Sequence, residues 1–444
     1  MPPSAAALMN KQTRWLLSEV ERWTKEGIVT SDQAARLRAL YPAEAPGVSW
    51  GLIVFCSIGA AVIGLGVILL FAYNWDAIPK FGKLGLILGL VVAAHAVGLV
   101  LRRRDGWVTR VGEALSLLGS MAFGGGIWLV AQIYNIDEHF PNGFLFWGLG
   151  ALALAWVLES VPQALLATVT LAIWGGAECF AFRAPVHWAL PLVAVGMGGL
   201  AWRMRSPVLT AAVLAALYVM IPTHAGFWAG SGAVFTEVLA LSVLLVAAAK
   251  LAPPENTLAR VARFFGMTGF LICAYALSFH DTVRHLLRWS PDVDREWGLV
   301  LAYGWLLVAL AAAAWGVIAW RAWQGARGLV ELEEWLIPIA LIYCQGLTVS
   351  GYYHEELLVA TVFNLACLGV AVMWMVRGCR EARLAPTVLG SLLLALVVFA
   401  RYFDLFDSMA ARGLAFIVVG AGLFAEGFFY RRARREQTEG RAAP

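Results

Sequence analysis

The sequence predicts an all-α polytopic membrane bundle of about 14 transmembrane helices, with both termini in the cytoplasm and a short cytoplasmic helix pair before the first span. Composition is the first reason. Hydrophobic residues make up 61% of the chain and charged residues 14%, against about 25% charged residues in a soluble domain. With a mean hydropathy of +0.74, the chain cannot cover its surface around one core in water, so lipid is the solvent for most of it. The second and third reasons are apolar runs of helix-spanning length and the sidedness of the basic residues.

In chain order, residues 1–49 carry Lys11, Arg14, Glu19, Glu21, Arg22, Lys25 and Glu26, with no apolar run long enough for a signal-peptide core. The first helix, from Trp50, is therefore expected to act as an uncleaved targeting signal. Ahead of it, Leu16, Val20 and Trp23 fall at i, i+4 and i+7, a narrow apolar stripe on a charged helix. Gly27 ends that helix, Thr30 or Ser31 caps a second one running to about Tyr41, and Pro42 stops it. Residues 10–41 are a candidate docking element for a cytoplasmic protein partner; the structural alternative is a pair resting on the bundle or the headgroups. Their basic residues are interleaved with Glu19, Glu21 and Glu26, which argues against nucleic acid as a partner.

The transmembrane domain is expected over 50–430. Its apolar runs lie near 50–73, 83–101, 112–133, 143–159, 162–180, 186–202, 207–223, 233–250, 258–279, 297–320, 333–350, 356–376, 384–400 and 411–430. Strand-like alternation is absent, and glycine-rich apolar runs suit packed helices better than a barrel. A basic tail, 431–444, follows. Lys and Arg resist translocation and gather on the cytoplasmic side. With the N-terminus inside, 25 of the 33 basic residues fall on the inner side and 8 outside. That bias also accounts for the net charge of +4 without an acidic partner. The six cysteines, Cys56, Cys179, Cys273, Cys344, Cys367 and Cys379, show no CxxC or ligand spacing, which argues neither for disulfides nor for a thiolate metal site; no cofactor is expected.

Ionisable groups inside a bilayer are costly and mark candidate sites. The apolar segments hold His95, Gln132, Glu178, Glu237 and Glu426, with Gln345 and Asn364 as further polar groups; Glu113 and Glu159 lie near inner helix ends. Glu178 and Glu237 sit toward outer ends and are candidates for a shared aqueous cavity that takes up a proton or cation. The structural alternative is interhelical hydrogen bonding. The outer face supplies a second candidate group, Asn74, Trp75, Asp76, Tyr134, Asp137, Arg401 and Asp404, from turns rich in aromatic and acidic residues. Around Asp76 and Asp404, the segments 71–78 and 399–406 align without gaps, as a duplication or simply as two aromatic belts. Six of the seven histidines (His139, His187, His224, His280, His285 and His354) also fall outside or at outer helix ends, beside carboxylates such as Asp137 and Glu138, a set that suits a transition metal or a pH sensor but lacks metal-site spacing. The segment from His280 to Trp297 carries Val283, Leu286, Leu287 and Trp289 on one side and is expected to lie flat on the membrane.

The order of several pieces resembles a known family. Trp23, Gly27-Ile28-Val29-Thr30 and Tyr41 come first, then a Gly-rich helix ending in Ala72-Tyr73-Asn74-Trp75-Asp76-Ala77-Ile78-Pro79, and then Lys83. Glu113-Ala114, Gln132-Ile133-Tyr134 and Trp147 follow. This resembles the bacterial membrane proteins grouped as domain of unknown function 2157, over roughly residues 10–150. The resemblance implies a multi-pass protein of the bacterial inner membrane and brings no catalytic residue with it.

Three functional readings follow. The leading one is a transporter or permease-like protein for a small solute or lipid. A second is a non-catalytic envelope sensor or scaffold using the outer histidines and the N-terminal helices. The third is a membrane enzyme acting on a lipid-linked substrate at the outer face, with Asp76, Asp137 or Asp404 as general base. No Walker motif, nucleophile elbow, dinucleotide fingerprint or haem attachment site occurs. Membrane lipid is the expected partner in every case.

Overall fold

In lipid, each peptide group must find its hydrogen bond within the protein, which leaves helices or closed barrels. The computed structural model describes residues 5–40, 78–105, 107–136, 139–182, 186, 188–287, 297–325, 330–350, 356–401, 417, 420–422 and 424–425, and among them there are helices and no strands. The chain falls into two units, Met1–Lys83 and Leu84–Pro444.

In the first unit, α1 (Ala5–Lys25) and α2 (Ser31–Leu40) form the expected pair. Gly27 takes a left-handed φ of 74°. Its N–H bonds to Thr24 O at 3.3 Å, and the Ile28 N–H bonds to Trp23 O at 2.9 Å, the pattern that closes a helix on glycine. Thr30 then caps α2 reciprocally: the Gln33 N–H donates to Thr30 Oγ1, and the Thr30 N–H donates to Gln33 Oε1. Val20, the middle residue of the stripe read from the sequence, and Ala34 on α2 are buried at 1% exposure each, while Leu16 and Trp23 are half-buried.

In the second unit the transmembrane helices are α3 (Lys80–Arg102), α4 (Trp107–Tyr134), α5 (Pro141–Leu158) and α6 (Val161–Phe182). The apolar helix α7 (Ala189–Met204) comes next. Helical backbone then continues unbroken through 45 residues, Pro207–Leu251. A straight helix of that length would run about 67 Å, twice the roughly 30 Å hydrocarbon layer. It is not straight. Tyr218 and Ser242 share a hydrogen bond of 2.8 Å between hydroxyls, although 24 residues of straight helix would part them by about 36 Å. The run is therefore a hairpin of two spans, α8 (Pro207–His224) and α9 (Val234–Leu251), as the two apolar runs in the sequence predict. Replacing Tyr218 with Phe removes that bond and the 3.2 Å one to Phe265 O. The expected loss is about 0.6 kcal/mol, measurable as a small drop in the unfolding midpoint in detergent.

The chain continues through α10 (Thr257–Leu277), the short α11 (His280–Leu287), α12 (Trp297–Trp323), α13 (Leu336–Ser350), α14 (Glu356–Arg380) and α15 (Leu384–Arg401). Nine helices among the described residues are long and apolar enough to cross a membrane, and three shorter apolar ones accompany them. The expected spans 50–73 and, for most of its length, 411–430 lie outside the described residues, as does the pairing of 71–78 with 399–406. Turns are tight because left-handed residues end the helices: Asn135, Glu159, Arg205 and Ala382 have φ of 46–52°.

Successive helices reverse direction, so their ends form two sets. One set carries Arg102, Glu159, Arg203, Lys250 and Arg377 (the arginine end); the other carries His139, Glu178, His224 and Glu356 (the histidine end). Two apolar clusters fill the interior. Leu171, Trp174, Met197 and Leu200 lie in the first, built by α5 to α8. Phe270, Trp315, Ile337 and Phe363 lie in the second, built by α9 to α15. Val283 on α11 belongs to the second cluster and is 1% exposed. The described part of His280–Trp297 thus inserts a side chain into the core rather than lying flat on the membrane. The flat placement rested on local amphipathicity, which does not distinguish a lipid surface from a neighbouring helix.

Within α7, residues Leu192–Met197 are π-helical. A π turn frees a carbonyl from the regular ladder, and Gly196 O accepts the Trp156 indole N–H at 3.0 Å.

Candidate functional site

At the arginine end the acids meet bases. Arg102 donates to Leu158 O at 2.6 Å and lies 3.5 Å from Glu113, which also accepts from the Ser160 hydroxyl at 2.7 Å. Glu159 pairs with Arg203 at 2.8 Å. Glu334, 2% exposed, receives Lys250 at 2.5 Å and Arg263 at 2.9 Å, and its other contact is the Glu331 N–H. Arg377 pairs with both Glu331 and Glu381. These contacts tie helix ends together, and they leave the histidine end as the place to look for a ligand.

There, Glu178 closes the last turns of α6 with its side chain 7% exposed. Its Oε1 accepts the indole N–H of Trp174 at 3.1 Å, one helical turn back, the spacing at which side chains on one helix meet. Its Oε2 lies 2.6 Å from His139 Nε2, which reaches it from the segment before α5. A carboxylate in low dielectric is tolerated only when paired and hydrogen-bonded, and both oxygens are engaged here. With the carboxylate accepting, Nε2 carries the proton and Nδ1 is left as the second polar atom of the ring. The imidazole packs on Phe182 with ring centroids 3.8 Å apart, and Phe182 in turn meets Phe140 at 5.4 Å. Trp174 packs on Trp188 at 4.3 Å.

His139 also lines a groove of about 470 Å³ between α3, α4 and the start of α5, with Leu84, Val91, Phe123, Trp128 and Phe146 along its walls. Apart from His139 and Asn142, its lining side chains are apolar. A second, smaller cavity of about 230 Å³ between α7, α8, α9 and α10 is almost wholly apolar. Neither is lined by Glu178 or Glu237.

Glu237, 5% exposed, stands near the start of α9. A methyl group on Gly304 of α12 would lie 3.2 Å from its Oε1, so that glycine makes room for the carboxyl. Glu178 and Glu237 thus have separate surroundings. His224, also 5% exposed, places Nδ1 2.8 Å from Met220 O, and Gly175 of α6 accommodates its ring. His95 lies half-buried across Gly119 in the crossing of α3 and α4. Gln132 and Tyr134 are exposed near the end of α4. Asn364 donates to Ser278 O at 2.9 Å, joining α14 to the end of α10. A second polar group at the histidine end joins His280 and Arg284 to Glu356 at 3.2 and 3.1 Å. Arg401 ends α15. The expected outer-turn residues Asn74, Trp75, Asp76, Asp137 and Asp404, together with Glu426, His187 and His354, lie outside the described residues.

Sequence reasoning grouped His139 with its neighbours Asp137 and Glu138; the fold joins it to Glu178, 39 positions away. It missed Trp174, whose i, i+4 offset from Glu178 was the available signal. It also missed Glu334, which Lys250 and Arg263 meet only through the packing of three segments.

Residues 21–164 match the model of a family described as Predicted membrane protein (DUF2157). No curated protein and no solved structure matches the chain. The groove and His139 lie inside the matched segment, whereas Trp174 and Glu178 lie beyond it.

Proposed function

We propose, for a membrane protein whose residues 21–164 carry that family match, a permease-like role. In this reading the groove between α3, α4 and α5 takes up a lipid or lipid-like solute sideways from the bilayer. The observation that supports it most is the position of His139. It lines an otherwise apolar groove and is hydrogen-bonded at 2.6 Å to a buried carboxylate. An apolar channel wall with one polar anchor suits an amphipathic molecule, whose tail needs no polar lining and whose head needs a fixed point. A hydrophilic solute would need a polar route, and neither cavity offers Glu178 or Glu237 to one.

The test is photo-crosslinking with a lipid carrying a diazirine in its acyl chain, on purified protein reconstituted in vesicles. Crosslinks are expected within residues 84–146, together with faster exchange of a labelled lipid between leaflets. Ile87→Trp, which fills the groove from its wall, should reduce both by tenfold or more. Crosslinks spread evenly over the lipid-facing helices, or exchange unchanged by Ile87→Trp, would sink the reading.

A second reading, a sensor or scaffold, has its own support in the N-terminal pair. Trp15 and Ile28 are 59% and 66% exposed although the pair has already buried Val20 and Ala34. Deleting residues 1–45 should abolish a sensing phenotype while the bundle still inserts, and should leave lipid crosslinking in the groove intact.

A further inference from the structure

The buried acids of the second unit divide by what holds them. His139 and Trp174 hold Glu178, and Lys250 and Arg263 hold Glu334. Glu237 is as buried, at 5% exposed, and among the described residues no hydrogen bond or ion pair reaches its carboxyl. A bare carboxylate in low dielectric is far more costly than the neutral acid.

Sequence around the site supplies no base. From Ser206 to Ala249 the chain has no Lys or Arg, and Glu237 is the one acid of that stretch. Facing it, α12 has no Lys, Arg, Asp or Glu from Trp297 to Trp320, and α13 has none at all. The charged and titratable groups on the other packed helices have partners or lie far off. His224 places Nδ1 on Met220 O, and His280 and Arg284 of α11 are joined to Glu356. Arg260 and Arg263 fall in the opening turns of α10, at the arginine end.

The fold nevertheless makes room for the group. Its carboxyl lies against the backbone of α12 at Gly304, where a Cβ would stand 3.2 Å from Oε1, 3.3 Å from Cγ and 3.6 Å from Cδ. Along α9, Glu237 is about 5 Å from Val234 at the histidine end and about 20 Å from Lys250 at the arginine end. The short way to water is through the histidine end. A proton is the one cation that such a group can bind by itself. A Ca²⁺ ion takes about 6–8 oxygen ligands, and no cluster of His, Cys, Asp and Glu able to hold a metal occurs among the described residues.

We propose that Glu237 is a proton-binding site, a carboxyl that takes a proton from hydronium at the histidine end, leaving water, and gives it back there. Binding removes the only charge from the contact of α9 with α12 at Gly304. The site is separate from the groove, which Glu237 does not line, so it stands or falls independently of a lipid there.

The test treats the full chain, reconstituted in vesicles, with dicyclohexylcarbodiimide, which enters lipid and converts protonated carboxyls to N-acylureas. Peptide mass spectrometry locates the adduct. Glu237 should be modified several-fold faster than Glu178 and Glu334, whose oxygens are held by other groups. Infrared spectra of the same vesicles in H₂O and D₂O report exchange. Wild type should show a carboxylic-acid C=O band that shifts in D₂O, and Glu237→Gln should lack it. Modification of Glu237 no faster than that of Glu334 would overturn the proposal, and this arm needs wild-type protein alone. A band that does not shift in D₂O would also overturn it, because a proton that never leaves belongs to a merely buried acid.

Discussion

Replacing Glu334 with Ala should lower the stability of the bundle by about 3–5 kcal/mol, the range for removing one partner of a buried ion pair. The carboxylate is 2% exposed and bridges Lys250 at the end of α9, 12% exposed, to Arg263 near the start of α10. It also accepts the Glu331 N–H, fixing the 3₁₀ turn Leu332–Trp335 that leads into α13. Removing it takes from the Lys250 ammonium, 12% exposed, the carboxylate 2.5 Å away, whereas Arg263 is about half exposed and keeps its access to solvent. The loss should therefore come mainly through Lys250, and the Lys250→Met, Glu334→Leu double variant should recover most of it. Unfolding midpoints of the three proteins in one detergent decide this. A double variant as unstable as Glu334→Ala alone would show that the cost lies in the turn and not in the lost Lys250–Glu334 pair.

The second large effect is expected at the crossing of α3 and α4. A Cβ on Gly98 would sit 2.7 Å from the Ser116 hydroxyl and 2.9 Å from Gly112 O, and one on Gly112 would sit 2.6 Å from the Arg102 N. Two of those three atoms are backbone, so rotamer changes cannot make space. Close backbone approach at small residues is a principal source of helix association in lipid, where no hydrophobic force draws helices together. Gly98→Leu should separate the pair and cost more than the 1–3 kcal/mol that is typical, as a rough guide, of overpacking in a core. It should also displace His95 from Gly119, two turns of packing that depend on the same approach. Gly89→Leu on the same helix, where a Cβ meets nothing within 4 Å, is the control and should be neutral. Comparable losses at both positions would refute the crossing as the cause.

Much of the fold was legible because the bilayer imposes a length and a polarity on every span. Twelve of the apolar runs read from the sequence correspond to the nine long and three shorter apolar helices of the described residues. Capping was legible too. Thr30 with Gln33, and Gly27 before them, specify the N-terminal pair through bonds made within a few residues. Even the hairpin within Pro207–Leu251 followed from hydropathy, although its backbone is helical throughout. The site was legible only as a set of residue types. Glu178 and His139 stood out as an intramembrane acid and a histidine near a helix end, while their partnership did not.

Local sequence, then, determined which segments enter lipid, where helices stop, and which side chains are too polar to be there without a reason. These are consequences of free energies set residue by residue: transfer into hydrocarbon, backbone satisfaction and capping. The tertiary structure alone decided the partners. It put His139 on Glu178, Lys250 and Arg263 on Glu334, and Val283 into the core. Such contacts join residues 39 to 84 positions apart in the two ion-paired groups, and no local pattern encodes them. They depend on which helices approach closely enough for a side chain of a few ångströms to span the gap, which is settled by the packing of small residues across whole interfaces.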